Sequence, residues 1–155
     1  MRLHKIIFVF FVSFIFIYPL YARAQVPPPL GIPKAVTVEE ARQLIDEYVA
    51  RFMKLELDPF MELFSKKCVE NRMLPYADIR EAYRKTIANS LSIVYDLRIY
   101  SIQTYPGSAF VKGRYEIIQS FKRGRARVLR GHIQWGLVRE DGSLKIGEVN
   151  YGRNR

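Results

Sequence analysis

The chain has one cysteine, two histidines and one tryptophan in 155 residues, and each scarcity closes off a chemistry. A lone Cys68 excludes a disulfide framework within the chain. Past the first 24 residues the only histidine is His132. A transition-metal site usually takes three or four N or S ligands, so no metal and no cofactor is expected. No cysteine follows Ala24, so nothing supports lipid attachment there. No internal repeat is present. Cys68, next to Val69, reads as a small buried apolar residue; the alternatives are a reactive thiol or an intermolecular bridge.

What is there begins with the first 24 residues. Arg2, His4 and Lys5 form a short basic start, Ile6 to Leu20 is free of charge, and Ala22-Arg23-Ala24 ends the segment with small residues before Gln25. That order is a secretory signal peptide over 1–24, which makes the protein exported, periplasmic or secreted. The alternative is an uncleaved membrane anchor, because the apolar run is near the ~17-residue lower limit for crossing a bilayer. Pro19 and the A-x-A favour cleavage.

Cleavage leaves about 130 residues, enough for one domain with a single core. Removing Arg2, Lys5 and Arg23 leaves 22 basic against 15 acidic residues, a net +7. Such a balance attracts anions without naming one. Ten Tyr and ten Phe point to a core or a cavity lined by aromatics.

Residues 25–36 carry Pro27, Pro28, Pro29 and Pro33 and read as an extended linker, which puts the domain at 37–155. Thr37-Val38-Glu39-Glu40 is a capping box. Leu44, Ile45, Tyr48, Val49, Phe52 and Met53 then recur at helical spacing, which predicts a helix over 38–55. Asp58-Pro59 restarts a short helix, with Asp58 as cap and Phe60, Leu63 and Phe64 facing inward. A short strand over 68–73 and a helix over 76–90, with Ile79, Tyr83 and Ile87 on one stripe, follow. From Ser92 the period changes to two. Pro106-Gly107, Arg123-Gly124 and Asp141-Gly142 cut this half into four strands. Helices followed by a strand meander describe an α+β domain, helices on one face of an antiparallel sheet.

The faces can be assigned. Ala109, Val111, Gly113, Tyr115, Ile117, Gln119 and Phe121 share one side, and Leu129, Gly131, Ile133, Trp135 and Leu137 share the matching side of the next strand. A three-residue loop centred on Gly124 pairs Tyr115 with Ile133 and Gly113 with Trp135, the glycine making room for the indole. A two-residue turn at Asp141-Gly142 pairs Leu137 with Ile146. Continued regularly, that hairpin turns Glu148 and Asn150 inward. A bulge at Gly147 instead turns Val149 and Tyr151 inward and is favoured, because a buried, unpaired carboxylate is costly.

The element order, together with the run Ile133 to Ile146 (I-Q-W-G-L-V-R-E-D-G-S-L-K-I), resembles the nuclear transport factor 2-like superfamily, which includes SnoaL-like proteins. Many members carry a similar W-x-L-x-R-E-D-G-x-W-K-I run there, with Trp where this chain has Leu144. The resemblance covers about 37 to 152. It implies a cone-shaped fold, N-terminal helices packed on a bent antiparallel sheet, and it spans dehydratases, isomerases, ring-hydroxylase subunits and non-catalytic binding modules. Fold analogy alone does not choose among these. Enzymes of the superfamily use an Asp or His base inside the cone. This chain has no His-x-His on its last strand and no recognisable Asp base, and His132 falls on the polar phase of its strand.

The expected pocket lining is Tyr48, Tyr83, Tyr95, Tyr115, Gln119 and Trp135, with ordinary core packing as the alternative. An inward Glu148 is the candidate general base of an enzyme reading, with Tyr95 or Tyr115 as hydrogen-bond donor. Lys122, Arg123, Arg125, Arg127 and Arg130 form a basic hairpin suited to lipid phosphates, acidic glycans or an acidic protein face; the alternative is a solvated hairpin whose charges block edge aggregation. Aromatic interleaving is limited to Phe121, so nucleic acid is not an expected partner. Outward Phe110 and Ile118 suit a homodimer through the sheet face. The reading that follows is an exported, non-catalytic binding or assembly module of the cell envelope, for a small apolar or acidic ligand or a partner protein. The alternatives are a small-molecule dehydratase or isomerase and an anion-binding envelope protein.

Overall fold

Helix formation starts where the capping box stands. The Thr37 side chain accepts from the Glu40 amide and the Glu40 carboxylate accepts from the Thr37 amide, both at 3.0 Å. This opens α1 (Val38–Met53). The computed structural model describes residues 34–153. The expected signal peptide and the linker up to residue 33 lie outside the described residues. Lys34 to Val36, read from sequence as the end of the linker, belong to the fold: Ala35 bridges Pro106, the Val36 amide donates to the Tyr105 carbonyl, and Val36 is buried.

A short helix α2 (Leu57–Met61) follows. Its cap is Glu56, and Asp58 lies inside the first turn, where it pairs with Arg80 instead of capping. Strand β1 (Phe64–Glu70) begins four residues before the predicted one, and β2 (Leu74–Pro75) is a two-residue pairing against it. Helix α3 (Tyr76–Asn89) leads into four long strands, β3 (Ser90–Tyr105), β4 (Ser108–Phe121), β5 (Arg127–Glu140) and β6 (Ser143–Arg153).

The six strands form one sheet in the order β2-β1-β6-β5-β4-β3. The meander β3 to β6 is antiparallel, but β1 runs parallel to β6, so the sheet is mixed. Parallel pairing needs a long crossover, and the chain from α3 to β5 supplies it. Beyond the capping box, α1 is tied to the sheet by the Arg139 guanidinium, which donates to Glu40 at 2.9 Å.

The helices bury Ala41, Ile45, Tyr48 and Phe52 of α1 and Ile79 and Tyr83 of α3 against the sheet face carrying Val111, Trp135, Leu137, Ile146 and Val149. Each large side chain so buried stabilises the fold by roughly 1.5–3 kcal/mol. Phe60, Leu63 and Phe64 face inward as their spacing requires, although Phe64 does so from the strand. Met53 remains exposed at the end of its helix.

The β4–β5 register differs from expectation by two residues. Tyr115 lies opposite Gly131, Gly113 opposite Ile133, and Val111 opposite Trp135. The connecting segment 122–126 is longer than three residues, and a shift of two keeps every side chain on its predicted face. The glycine roles change accordingly. A Cβ on Gly131 would meet the Tyr115 hydroxyl at 2.9 Å, so it is the phenol, not the indole, that a glycine accommodates.

The last hairpin carries the bulge. Leu137 faces Ile146, while Gly136 faces Glu148 and Trp135 faces Val149, with Gly147 as the extra residue. Val149 is fully buried as a result.

Candidate functional site

The concave face leaves a cavity of about 170 Å³ between α1, α3 and the β3–β6 sheet. Five side chains expected in a pocket line it: Tyr48, Tyr83, Tyr95, Tyr115 and Gln119. Trp135 does not. It is fully buried, edge-on to Tyr48 of α1 at 5.5 Å between centroids, and acts as core. Tyr151 and Arg127 complete the polar part of the wall, and the rest is aliphatic apart from Phe52 and Thr86.

The phenols are organised by each other. The Tyr48 and Tyr83 hydroxyls are 3.0 Å apart and buried. Burial pushes both, and Tyr95, well above the ordinary tyrosine value of 10. They stay protonated, so each phenol is a neutral donor or acceptor and never a charge. Tyr151 reaches the same network because the bulge turns it inward. Burial raises its hydroxyl too, followed by the neighbouring Glu70 carboxylate, while Tyr83 acts in the opposite direction.

Glu70 is the residue that sequence reasoning missed. It ends β1 at 5% exposure, facing the same side as Val149, its partner on β6. Burial raises its carboxyl above the ordinary glutamate range, offset in part by the Tyr151 hydroxyl beside it. It does not line the cavity itself; Tyr151 stands between. Period-two alternation from Cys68 identifies it, once the strand is known to start at Phe64 and not at 68. Arg127 was grouped with the basic hairpin, not the pocket; its pairing with inward Gln119 across β4 and β5 is the signal that places it at the cavity.

Glu148 lies on the opposite side of the sheet. Its carboxylate accepts from the Asn150 amide nitrogen at 2.7 Å, and it neighbours Gly136 and Phe110 on the outer face. The inward geometry that a general base needs beside Tyr115 and Trp135 is not the one it takes, because the bulge inverts its phase. His132 is exposed on the same outer face, opposite Arg114.

The basic run is divided by the strand alternation. Arg130 is on the outer face and pairs with Glu116. Lys122, Arg123 and Arg125 are on the exposed loop between β4 and β5. Arg127 turns inward to the cavity, donates to the Gln119 amide oxygen at 3.1 Å and lies 5.6 Å over the Phe121 ring. Phe110 and Ile118 are exposed on the outer face at separate ends, Phe110 beside Tyr105 and Ile118 between Val94 and Val128, with Asp96, Arg114, Glu116 and Arg130 between them. Among the described residues, no three His, Cys, Asp or Glu side chains are grouped to hold a metal ion.

No protein-family model matches the chain, and no curated protein matches it. Solved structures do. A ketosteroid isomerase-like protein from Erwinia carotovora atroseptica matches with a TM-score of 0.64 and 15% identity, over 77% of this chain and 99% of that one. A nuclear transport factor 2-like superfamily protein from Salmonella enterica serovar Typhimurium matches with a TM-score of 0.63 and 17% identity, over 76% of this chain and 90% of that one. A hexachlorocyclohexane dehydrochlorinase matches with a TM-score of 0.60 and 9% identity, over 76% and 84%. At these identities the likeness concerns backbone arrangement and carries no activity across. Helices ahead of an open mixed sheet, matched by such structures over about three quarters of the chain, agree with the sequence resemblance: this chain has the nuclear transport factor 2-like fold.

Proposed function

We propose that this protein is an exported, non-catalytic binding module that holds a small, mostly apolar molecule in the tyrosine-lined cavity. One observation carries the reading: the cavity wall, among the described residues, has rings, aliphatic side chains, phenol tips, Thr86, Gln119 and Arg127, but no Asp, Glu or His. Apolar walls with a few fixed polar groups suit binding and orientation. Proton transfer needs a base within hydrogen-bond reach of the ligand, and none is on the wall. About 170 Å³ matches a single-ring or short branched molecule, since an apolar cavity of ~150 Å³ takes up benzene.

The test is ligand-observed NMR with neutral single-ring compounds, repeated on Leu129→Trp, which fills the cavity from its wall. Binding by the wild type and its loss in the filled variant is the expected result. Absence of binding by any ring compound to the wild type sinks the reading. Export is tested by N-terminal sequencing of the protein expressed in its host. A mature terminus at Gln25 is expected, and an intact Met1 in the membrane fraction overturns it.

A second reading, enolising isomerase or dehydratase chemistry, is favoured by Glu70 alone, a buried carboxylate one phenol away from the cavity. It requires that wild-type protein exchange the α-protons of a cavity-sized ketone such as acetophenone into deuterated water, and that Glu70→Gln abolish the exchange. No exchange by the wild type removes it.

A further inference from the structure

The stretch 117–139, which includes the loop end of the β4–β5 hairpin, contains no aspartate or glutamate. Its cations find no carboxylate within the stretch. Arg130 and Arg139 reach outside the stretch, to Glu116 and Glu40. Among the described residues, Lys122, Arg123, Arg125 and Arg127 have no carboxylate within 4.0 Å. Of these four, only Arg127 also lines the cavity.

Arg127 is held, not waving. Its guanidinium donates to Gln119, which is 3% exposed. The Gln119 amide nitrogen donates to the Ser90 hydroxyl at 2.8 Å, and that hydroxyl donates to the Thr86 carbonyl at 2.6 Å in the last turn of α3. The Phe121 ring supports the guanidinium from one side. A buried amide, oriented at both ends, therefore fixes one nitrogen of a planar five-donor group and leaves the other donors for a second partner. Around it the loop cations add a positive field that draws anions to the mouth.

We infer that the ligand is an apolar acid, its ring or short chain among the tyrosines and its carboxylate on the Arg127 guanidinium at the mouth. This rests on the cavity being a binding site, as proposed above. A carboxylate matches the forked donor geometry, whereas the neutral phenols inside offer no cation to an anion buried deeper.

The experiment is calorimetric titration of the full chain with 3-phenylpropionate and with 3-phenylpropan-1-ol, which differ only in the end group. The acid is expected to bind about tenfold more tightly at low salt, the size of a partly solvated charged hydrogen bond, and the preference shrinks as ionic strength rises. Arg127→Gln brings the acid-to-alcohol ratio close to one, and Arg127→Lys leaves it in between. Equal binding of acid and alcohol by the wild type overturns acid selection and leaves the cavity reading standing. A preference that survives Arg127→Gln overturns the role given to Arg127. Binding of neither compound overturns both.

Discussion

The hydroxyls of Tyr48 and Tyr83 sit 3.0 Å apart inside the cone, one carried by α1 and the other by α3. This hydrogen bond joins the two helices that carry that side of the cavity wall. Phe52 of α1 also meets Tyr83 edge-on at 5.5 Å, and the Phe60 ring bridges the pair at 5.1 Å from Tyr48 and 4.8 Å from Tyr83.

Removing either hydroxyl leaves the other short of a buried partner. Tyr48→Phe is expected to destabilise the fold by about 1 kcal/mol, as is Tyr83→Phe. The double variant should lose less than the sum, because the Tyr48–Tyr83 hydrogen bond they share is lost only once. Denaturant titration of the three variants measures this, and strict additivity would show that the phenols do not act as a pair.

The carboxyl of Glu70 sets a pH dependence. Its folded pKa is raised above the ordinary 4.5 by burial, so the folded state holds the proton more tightly than the unfolded one. Stability therefore falls as pH rises from 4.5 toward the folded value, and the loss is complete above it. Glu70→Gln removes this dependence. Melting temperatures across pH 4 to 8 should show the variant gaining on the wild type as pH increases; a gap that stays constant contradicts the assignment.

Cys68 is 1% exposed, and burial pushes its thiol up to about 12, with Glu70 and Glu148 adding to the effect. Thiolate is the reactive form, so the native protein at pH 8 should resist a disulfide reagent and react with one equivalent only after denaturation. Fast labelling of the native protein would restore the reactive-thiol reading.

Gly131 is sterically committed. A methyl there runs into the Gly152 carbonyl and approaches the Tyr115 hydroxyl at 2.9 Å. Gly131→Ala should cost about 1–3 kcal/mol, as overpacked sites do, and should displace Tyr115 from the cavity wall. A melting temperature equal to the wild type's, with an unmoved Tyr115 ring resonance, would contradict the register described for β4 and β5.

How much of this was legible in the sequence follows from the range of each signal. The capping box at Thr37, the turn glycines 107, 124 and 142 and the face assignments of β4 and β5 are local, and all appear where the residues place them. The Gly147 bulge was readable because Val149 and Tyr151 are apolar where Glu148 is not. The register error arose because turn chemistry at Gly124 does not fix loop length, and a shift of two leaves the hydrophobic pattern unchanged. Trp135 was placed in the pocket because inward-facing residues look alike in sequence; depth below the surface depends on α1, which covers it. Glu70 was missed for the opposite reason. A charged residue at a strand end ordinarily faces water, and only parallel pairing with β6, a long-range event, turns it in.

The extra residue at Gly147 also has a meaning on another timescale. Strand parity is binary, and the bulge lets β6 present Ile146 to the core before it and Val149 after it, although the two are an odd number of residues apart. Deleting the Gly147 codon would turn no side chain over, because Ile146 and Glu148 would become consecutive and keep their partners Leu137 and Gly136. Elsewhere in the strand the same deletion would exchange the faces of every residue beyond it. The bulge is thus a place where a lineage can lose a residue without turning the strand inside out.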